Sequence, residues 1–377
     1  MEQTGAPPGG VHTEGGGPSR EPRWAEPEDV SAAPDDCVLS AEQVEQWRTQ
    51  RYLVLDGLFP AQLIAEAAAC HTEEFPTPTP ERPSAELAGD AGGGFGGIGT
   101  SREFPFDVEH DVYNMLTLHP RALKTCEQLL GTSDLRVTRS NYGAKYGGRG
   151  FEKPRTAPDQ NGWDASVTGD QTMHWCARPP ASSFSKCNTL LSRDFGNNTM
   201  LVPSDERPDC VASICYLNHV EDGGGATGIV PYDPSLPTNS DMPGEGVEGW
   251  GRSDGWLGQS VYEAERLVRY RPGTILLYRM DTYHRGTLVY PEGVRRVWGA
   301  VWRRADSDWV HAGGQGMHGV GNGEFARYAH VFPRITPAQR TVVGFPSVES
   351  DYWTPTTIAA VSKRYPGIDW AEYKARL

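Results

Sequence analysis

The feature that most constrains this chain is a change of period near residue 134. Before it, apart from one strand-like run at 52–59, the periodic stretches have helical spacing. From there to residue 304 they alternate with polar ones in short runs: "DLRVTRSNYGAKYG" (134–147), "TMLVP" (199–203), "CVASICYLNHV" (210–220), "GTILLYRM" (273–280) and "RRVWGAVWRR" (295–304). Clusters of Gly, Pro and Asp separate the runs, the punctuation expected of strands. Many short strands in one stretch, with helices on either side, predict two packed sheets or a barrel with helical cover. The simplest such architecture is a mainly β jelly-roll with flanking helices, a cupin-like double-stranded β-helix.

The flanks can be read from caps and breakers. Residues 1–36 are rich in Gly, Pro and Glu and show no hydrophobic period, so they are expected to form a disordered tail. Residues 37–377 are expected to form one domain. Ser40, with Gln43 three residues on, has capping-box spacing for a first helix. "YLVLDGLF" (52–59) reads as a strand ending in a turn. Residues 60–75 read as a helix with Pro60 in its first turn. Residues 76–104 read as a long loop. Helices are predicted around 107–118 and 120–130, the second stopped by Gly131. Residues 232–259 are expected to form a long inserted loop of the kind that often serves as a lid. A helical region returns over 323–377, where "TPAQR" and "TPTTIAAVSKRYPG" each pair a Thr cap with Pro at the first helical position.

Composition narrows the function. Gly 44 and Pro 30 suit a loop-rich domain, and 11 Trp with 15 Tyr supply a core with aromatic walls. A formal net charge of −14 disfavours nonspecific nucleic-acid binding, which depends on phosphate neutralisation. A small anionic substrate is still allowed, because basic residues can cluster locally in an acidic protein. The seven cysteines are scattered and show no CxxC spacing, which argues against a zinc site or disulfide scaffold and for a reducing compartment. No run of residues has the length and apolarity of a membrane span or the pattern of a signal peptide, so the cytoplasm is the default expectation.

Three polar residues lie beside or within the strand-like runs: His174 in "GDQTMHW", Asp194 in "RDFGNNTMLVP" and His284 in "PGTILLYRMDTYHRGT". Two imidazoles and one carboxylate make the facial triad of oxygen-activating iron enzymes, which leaves positions open for co-substrate and dioxygen. Arg295 and Arg296 follow His284 by eleven and twelve residues, and a guanidinium there can clamp a dicarboxylate in fork geometry. The bland alternative is that an isolated histidine, one of ten in the chain, is a surface or hydrogen-bonded core residue. Trp298, Trp302 and Trp309 could line a substrate pocket, but core packing is the plainer role. Gly223, Gly224 and Gly225 read as a flexible turn; no strand–glycine–helix context supports a phosphate cradle.

Several segments resemble the phytanoyl-CoA dioxygenase family, in order over roughly residues 38–377. "LSAEQVEQWRTQRYLVLDGLFP" resembles its N-terminal helix and strand, and "LLGTSDLRVTRSNYGAKYG" the strand leading to the iron site. "CYLNHVEDGGGATGIVPYDPS" resembles its acidic turn and following segment, and "PGTILLYRMDTYHRGT" its distal-histidine strand. "YWTPTTIAAVSKRYPGIDWAEY" resembles the tail of some bacterial-type members. The resemblance implies an Fe(II)/2-oxoglutarate-dependent dioxygenase that uses O2 to hydroxylate a C–H bond of a small molecule. It implies His174 and His284 as iron ligands. It makes Arg295, or alternatively Arg296, the partner of the far carboxylate of 2-oxoglutarate. Tyr142, Lys145 and Thr287 flank this region in the motif text and are further candidates to hold the co-substrate.

The family pattern has Asp two residues after the first His, whereas this chain has Cys176 there. Removing residues 176–193 would join "QTMHW" to "DFGNNTMLVP" and restore H-W-D with Asp194 as the third ligand. Trp175 must end its codon in G and Cys176 must begin with T, so a GT donor is unavoidable. An AGG codon for Arg193 would supply an AG acceptor. The expectation is that 176–193 is an insertion, read here as a retained intron of a eukaryotic gene, although every Trp-Cys pair contains GT. Two other readings stay open. Cys176 could mark a halogenase with an open iron position, or the disrupted motif could leave a non-catalytic β-helix binding protein.

Overall fold

The fold is described from a computed structural model covering residues 23–84, 86–87, 104–147, 201, 203–222, 225–235, 264–287, 289, 292–309, 332–342, 344–375 and 377. The N-terminal helices form where their caps predict. Helix α1 (Ala41–Gln50) begins at Ser40, whose hydroxyl accepts from the Gln43 amide while the Gln43 side chain accepts from the Ser40 amide. It ends at Arg51, which takes a left-handed conformation at φ 66°. Strand β3 (Tyr52–Asp56) follows at once, then helix α2 (Ala61–Glu74), with Pro60 as its N-cap rather than inside it. A 3-10 turn (Val108–His110) leads into α3 (Asp111–Thr117). Helix α4 (Pro120–Leu130) is closed by Gly131 at φ 69°, a backbone state glycine adopts without a Cβ clash.

Strands β4 (Leu135–Tyr146), β5 (Cys210–Tyr216), β6 (Thr227–Ile229), β7 (Arg266–Val268), β8 (Ile275–Tyr278), β9 (His284–Gly286) and β10 (Val294–Arg304) supply most of the sheet structure. Residues 24–29 correct the expected tail. Trp24–Ala25 (β1) pairs in parallel with β7, and Glu28–Asp29 (β2) pairs in parallel with β3. Backbone pairing with distant strands orders a segment too short and polar to show a period of its own. The larger sheet has the order β2-β3-β8-β5-β10-β4 and the smaller one β1-β7-β6-β9. The expected strand 199–203 is not seen as one: Leu201 and Pro203 are not in a strand, and the rest of that run lies outside the described residues.

The alternation in the sequence sorts the larger sheet's side chains onto two faces. Leu53, Leu55, Val211, Cys215, Ile275, Leu277, Trp298 and Trp302 enter a core shared with α1 to α4. Their neighbours Tyr52, Val54, Ala212, Ile214, Leu276, Tyr278, Val297 and Val301 enter a second core. That core is shared with Ile229 and Val268 of the smaller sheet and with the C-terminal helices. The latter are α5 (Pro337–Val342), α6 (Pro355–Arg364) and α7 (Ala371–Lys374). The first two are capped by Thr336 and Thr354, each directly before Pro. The Trp298 and Trp302 indoles donate to Ser140 Oγ and the Thr117 carbonyl in the helix-side core, so their role is packing. Among the described residues, no helix is long and apolar enough to cross a membrane.

Candidate active site

Two adjacent arginines on β10 have opposite fates because successive strand residues face opposite ways. Arg296 turns to the helix side. Its guanidinium donates to the Phe75 carbonyl at 2.9 and 3.2 Å and to Thr77 Oγ1 at 2.9 Å, tying down the chain just past α2. Tyr142, another co-substrate candidate, lies on the same helix side. Its ring stacks on Tyr113 at 4.2 Å and its hydroxyl donates to Glu74 Oε2 at 2.6 Å, all within the helix layer.

Arg295 faces the core between the sheets. Antiparallel register places Lys145 of β4 directly opposite it, on the same face. Both are buried, at 3% and 1% exposure. Arg295 Nη1 donates to the Gly225 carbonyl, and Lys145 Nζ lies 3.3 Å from the Thr287 carbonyl. Among the described residues neither cation has a carboxylate partner, and Arg295 Nε has no acceptor. Two like charges have thus been taken out of water side by side, which is costly without a counter-charge. The Lys145 ammonium responds as expected: desolvation, and then the Arg295 charge, hold its pKa well below the usual lysine range.

The backbone groups that hold these cations belong to one corner of the smaller sheet. Gly225 leads into β6 and Thr287 follows β9, and these two strands pair with each other. Thr287 closes the corner, its amide and hydroxyl both donating to the Ala226 carbonyl at 2.9 and 2.7 Å. Tyr216, stacked on Tyr270 at 4.0 Å, donates its hydroxyl to Thr227 Oγ1 at 2.6 Å beside this corner. Tyr216 and Thr227 both lie in the segment "CYLNHVEDGGGATGIVPYDPS", which gives neither a role. Period 2 through "CVASICY" gives the face of Tyr216, but only the sheet order puts it near Arg295.

His284 opens β9 opposite Ile229 and is 2% exposed. Its Nδ1 lies 3.0 Å from the Thr282 carbonyl. A carbonyl only accepts, so Nδ1 is the donor in this contact, an arrangement that matches a metal-binding imidazole whose second nitrogen is held by the backbone. His174, Asp194 and Cys176 lie outside the described residues.

No protein-family model matches the chain, and no curated protein does. Solved structures are similar to it at low identity. SnoK, a non-haem alpha-ketoglutarate-dependent carbocyclase from nogalamycin biosynthesis, shares 16% identity over 78% of this chain and 92% of its own, with a TM-score of 0.44. HygX from Streptomyces hygroscopicus, with nickel and 2-oxoglutarate bound, shares 18% over 71% and 88%, with a TM-score of 0.39. EvdO2 from Micromonospora carbonacea var. aurantiaca shares 15% over 71% and 91%, with a TM-score of 0.42.

Proposed function

We propose that this chain is a mononuclear non-haem iron, 2-oxoglutarate-dependent oxygenase on a double-stranded β-helix, hydroxylating a C–H bond of a small molecule. The observation that carries this reading is the buried Arg295–Lys145 pair. It lacks a carboxylate among the described residues and is fixed by hydrogen bonds to the same sheet corner that carries His284. Such a pair asks for an anion, and a guanidinium offers a carboxylate a planar fork. In this reading the far carboxylate of 2-oxoglutarate sits on Arg295 and Lys145, with Thr287 shaping the wall. His284, with His174 and Asp194, would hold iron. Ferrous iron with 2-oxoglutarate and dioxygen supplies the oxidising power for C–H hydroxylation. The protein's own residues orient the co-substrate and keep water from the buried cations.

The insertion 176–193 separates His174 from Asp194 and bears directly on the test. Anaerobic addition of Fe(II) and 2-oxoglutarate is expected to give the weak visible charge-transfer band of the chelate. The full chain and a form lacking 176–193 should be compared. A band in both would support an active oxygenase with a tolerated loop and Asp194, or a substitute, at the iron. A band only in the shortened form supports a retained intron that disables this chain. The absence of a band from both would overturn the reading and leave a binding protein without metal. In whichever form is active, His284→Ala should abolish turnover.

A further inference from the structure

Arg51 occupies a position that chain geometry reserves for glycine. It ends α1 at φ 66°, ψ 16°, and is the one non-glycine residue with positive φ among the described residues. An L-residue held there costs roughly 1 kcal/mol or more, which glycine would avoid. A cap needs only the backbone, so the side chain must account for the arginine.

The Arg51 guanidinium is almost fully buried and donates to Asp281 Oδ2 at 2.7 Å and Asp205 Oδ1 at 2.6 Å, while lying 3.4 Å from the centre of the Tyr232 ring. Arg279 contacts the same two carboxylates at 3.0–3.1 Å. Among the described residues two cations and two anions meet here, and the Asp281 side chain is wholly buried. The Arg51 backbone adds to this grip: its carbonyl accepts from the Arg279 amide at 3.1 Å and the Thr282 hydroxyl at 2.9 Å. The Thr282 amide in turn donates to the Arg279 carbonyl at 2.9 Å, closing a turn over 279–282. That turn delivers the Thr282 carbonyl to His284 Nδ1.

We propose that Arg51 is a positioning residue for His284: its guanidinium and carbonyl fix the 279–282 turn, and the turn fixes the tautomer and aim of the imidazole. For its consequence in metal binding, the proposal rests on the reading of His284 as an iron ligand. The geometric claim stands apart from that reading and is tested separately.

The full-length protein, labelled with nitrogen-15, is compared with Arg51→Gly by two-bond imidazole proton–nitrogen spectra, with His284→Gln identifying the resonance. The native His284 is expected to show the neutral Nδ1–H pattern. Arg51→Gly relieves the strained backbone, so circular dichroism should show it folded, while the His284 pattern shifts toward the other tautomer or an average. Cobalt(II) titration should show affinity falling at least about tenfold, the loss typical of removing a group that orients a metal ligand. An unchanged imidazole pattern in a folded Arg51→Gly protein overturns the proposal. If the native chain takes up no cobalt, the metal reading fails and the imidazole pattern alone decides the positioning role. If Arg51→Gly does not fold, Thr282→Val decides: it keeps every charge and cuts only the hydroxyl link to Arg51. A shifted His284 pattern then supports the proposal, and an unshifted one overturns it.

Discussion

The two faces of the larger sheet are built from the same strands and solve burial differently. On the helix side, polar groups are closed by the protein itself. Arg296 binds the Phe75 carbonyl, Tyr142 binds Glu74, and His71 Nε2 lies 2.9 Å from the Gly143 carbonyl. On the inter-sheet side, one residue away along each strand, Arg295 and Lys145 are buried without a carboxylate among the described residues. The difference teaches that burial of a charge does not by itself mark a site. A buried charge without a carboxylate among the described residues is the stronger candidate, because burying an uncompensated charge is costly.

The sharpest way to break this comparison is to remove each arginine in turn. Arg295→Met should weaken 2-oxoglutarate binding by about 100-fold, near 3 kcal/mol for a lost charge-assisted fork, measured by calorimetry on the Fe(II)-loaded protein. Its thermal midpoint should hold or rise, since one of two repelling buried cations has gone. Arg296→Met should do the reverse. It leaves the Phe75 carbonyl and Thr77 without their donor and should cost about 2 kcal/mol in denaturant unfolding, with co-substrate affinity unchanged. If both variants lose affinity equally and neither loses stability, the division between the faces is wrong.

A smaller effect separates the faces by pH. Burial pushes the His71 imidazole down to about 3, with the Arg296 charge adding to it. The unfolded chain then binds the extra proton below about 6.5. Stability from this group is full above that pH and falls as pH drops toward 3, by about 1.4 kcal/mol per unit. His71→Gln, whose amide can still donate to Gly143, should flatten that acid limb. Asp209, beside Tyr352 at the inter-sheet core, has the opposite sign. Burial raises its carboxyl to about 6, so its contribution is full below about 4 and is lost as pH rises through 6. Asp209→Asn should therefore stabilise the protein at pH 7, by at most about 3 kcal/mol, and leave it unchanged at pH 3.5. Urea midpoints across pH 3–8 for both variants would check the two signs. Matching slopes in both would refute the distinction.

Much of this was legible in local pattern. Ser40 with Gln43, Gly131, and Thr354 before Pro355 announce helix ends because a cap is satisfied within four residues. The alternation through "RRVWGAVWRR" already separates Arg295 from Arg296 onto opposite faces. It does not say which face is the site, and Tyr142 shows the cost of that gap: close in sequence to Lys145, it points the other way. The segment 24–29 has no period to read, and its place follows from strands more than twenty residues away.

The sequence by itself therefore determined the strand faces, the helix caps and the candidate histidine, since each depends on neighbours a few bonds away. Only the tertiary structure decided that Lys145 stands across from Arg295, that both reach one corner of the smaller sheet, and that Arg51 grips the turn before His284. The Lys145–Thr287 contact joins residues 142 apart, and the Arg51–Asp281 pair residues 230 apart. Contacts at that separation are set by sheet order and register, which emerge from the packing of the whole chain and leave no local signature.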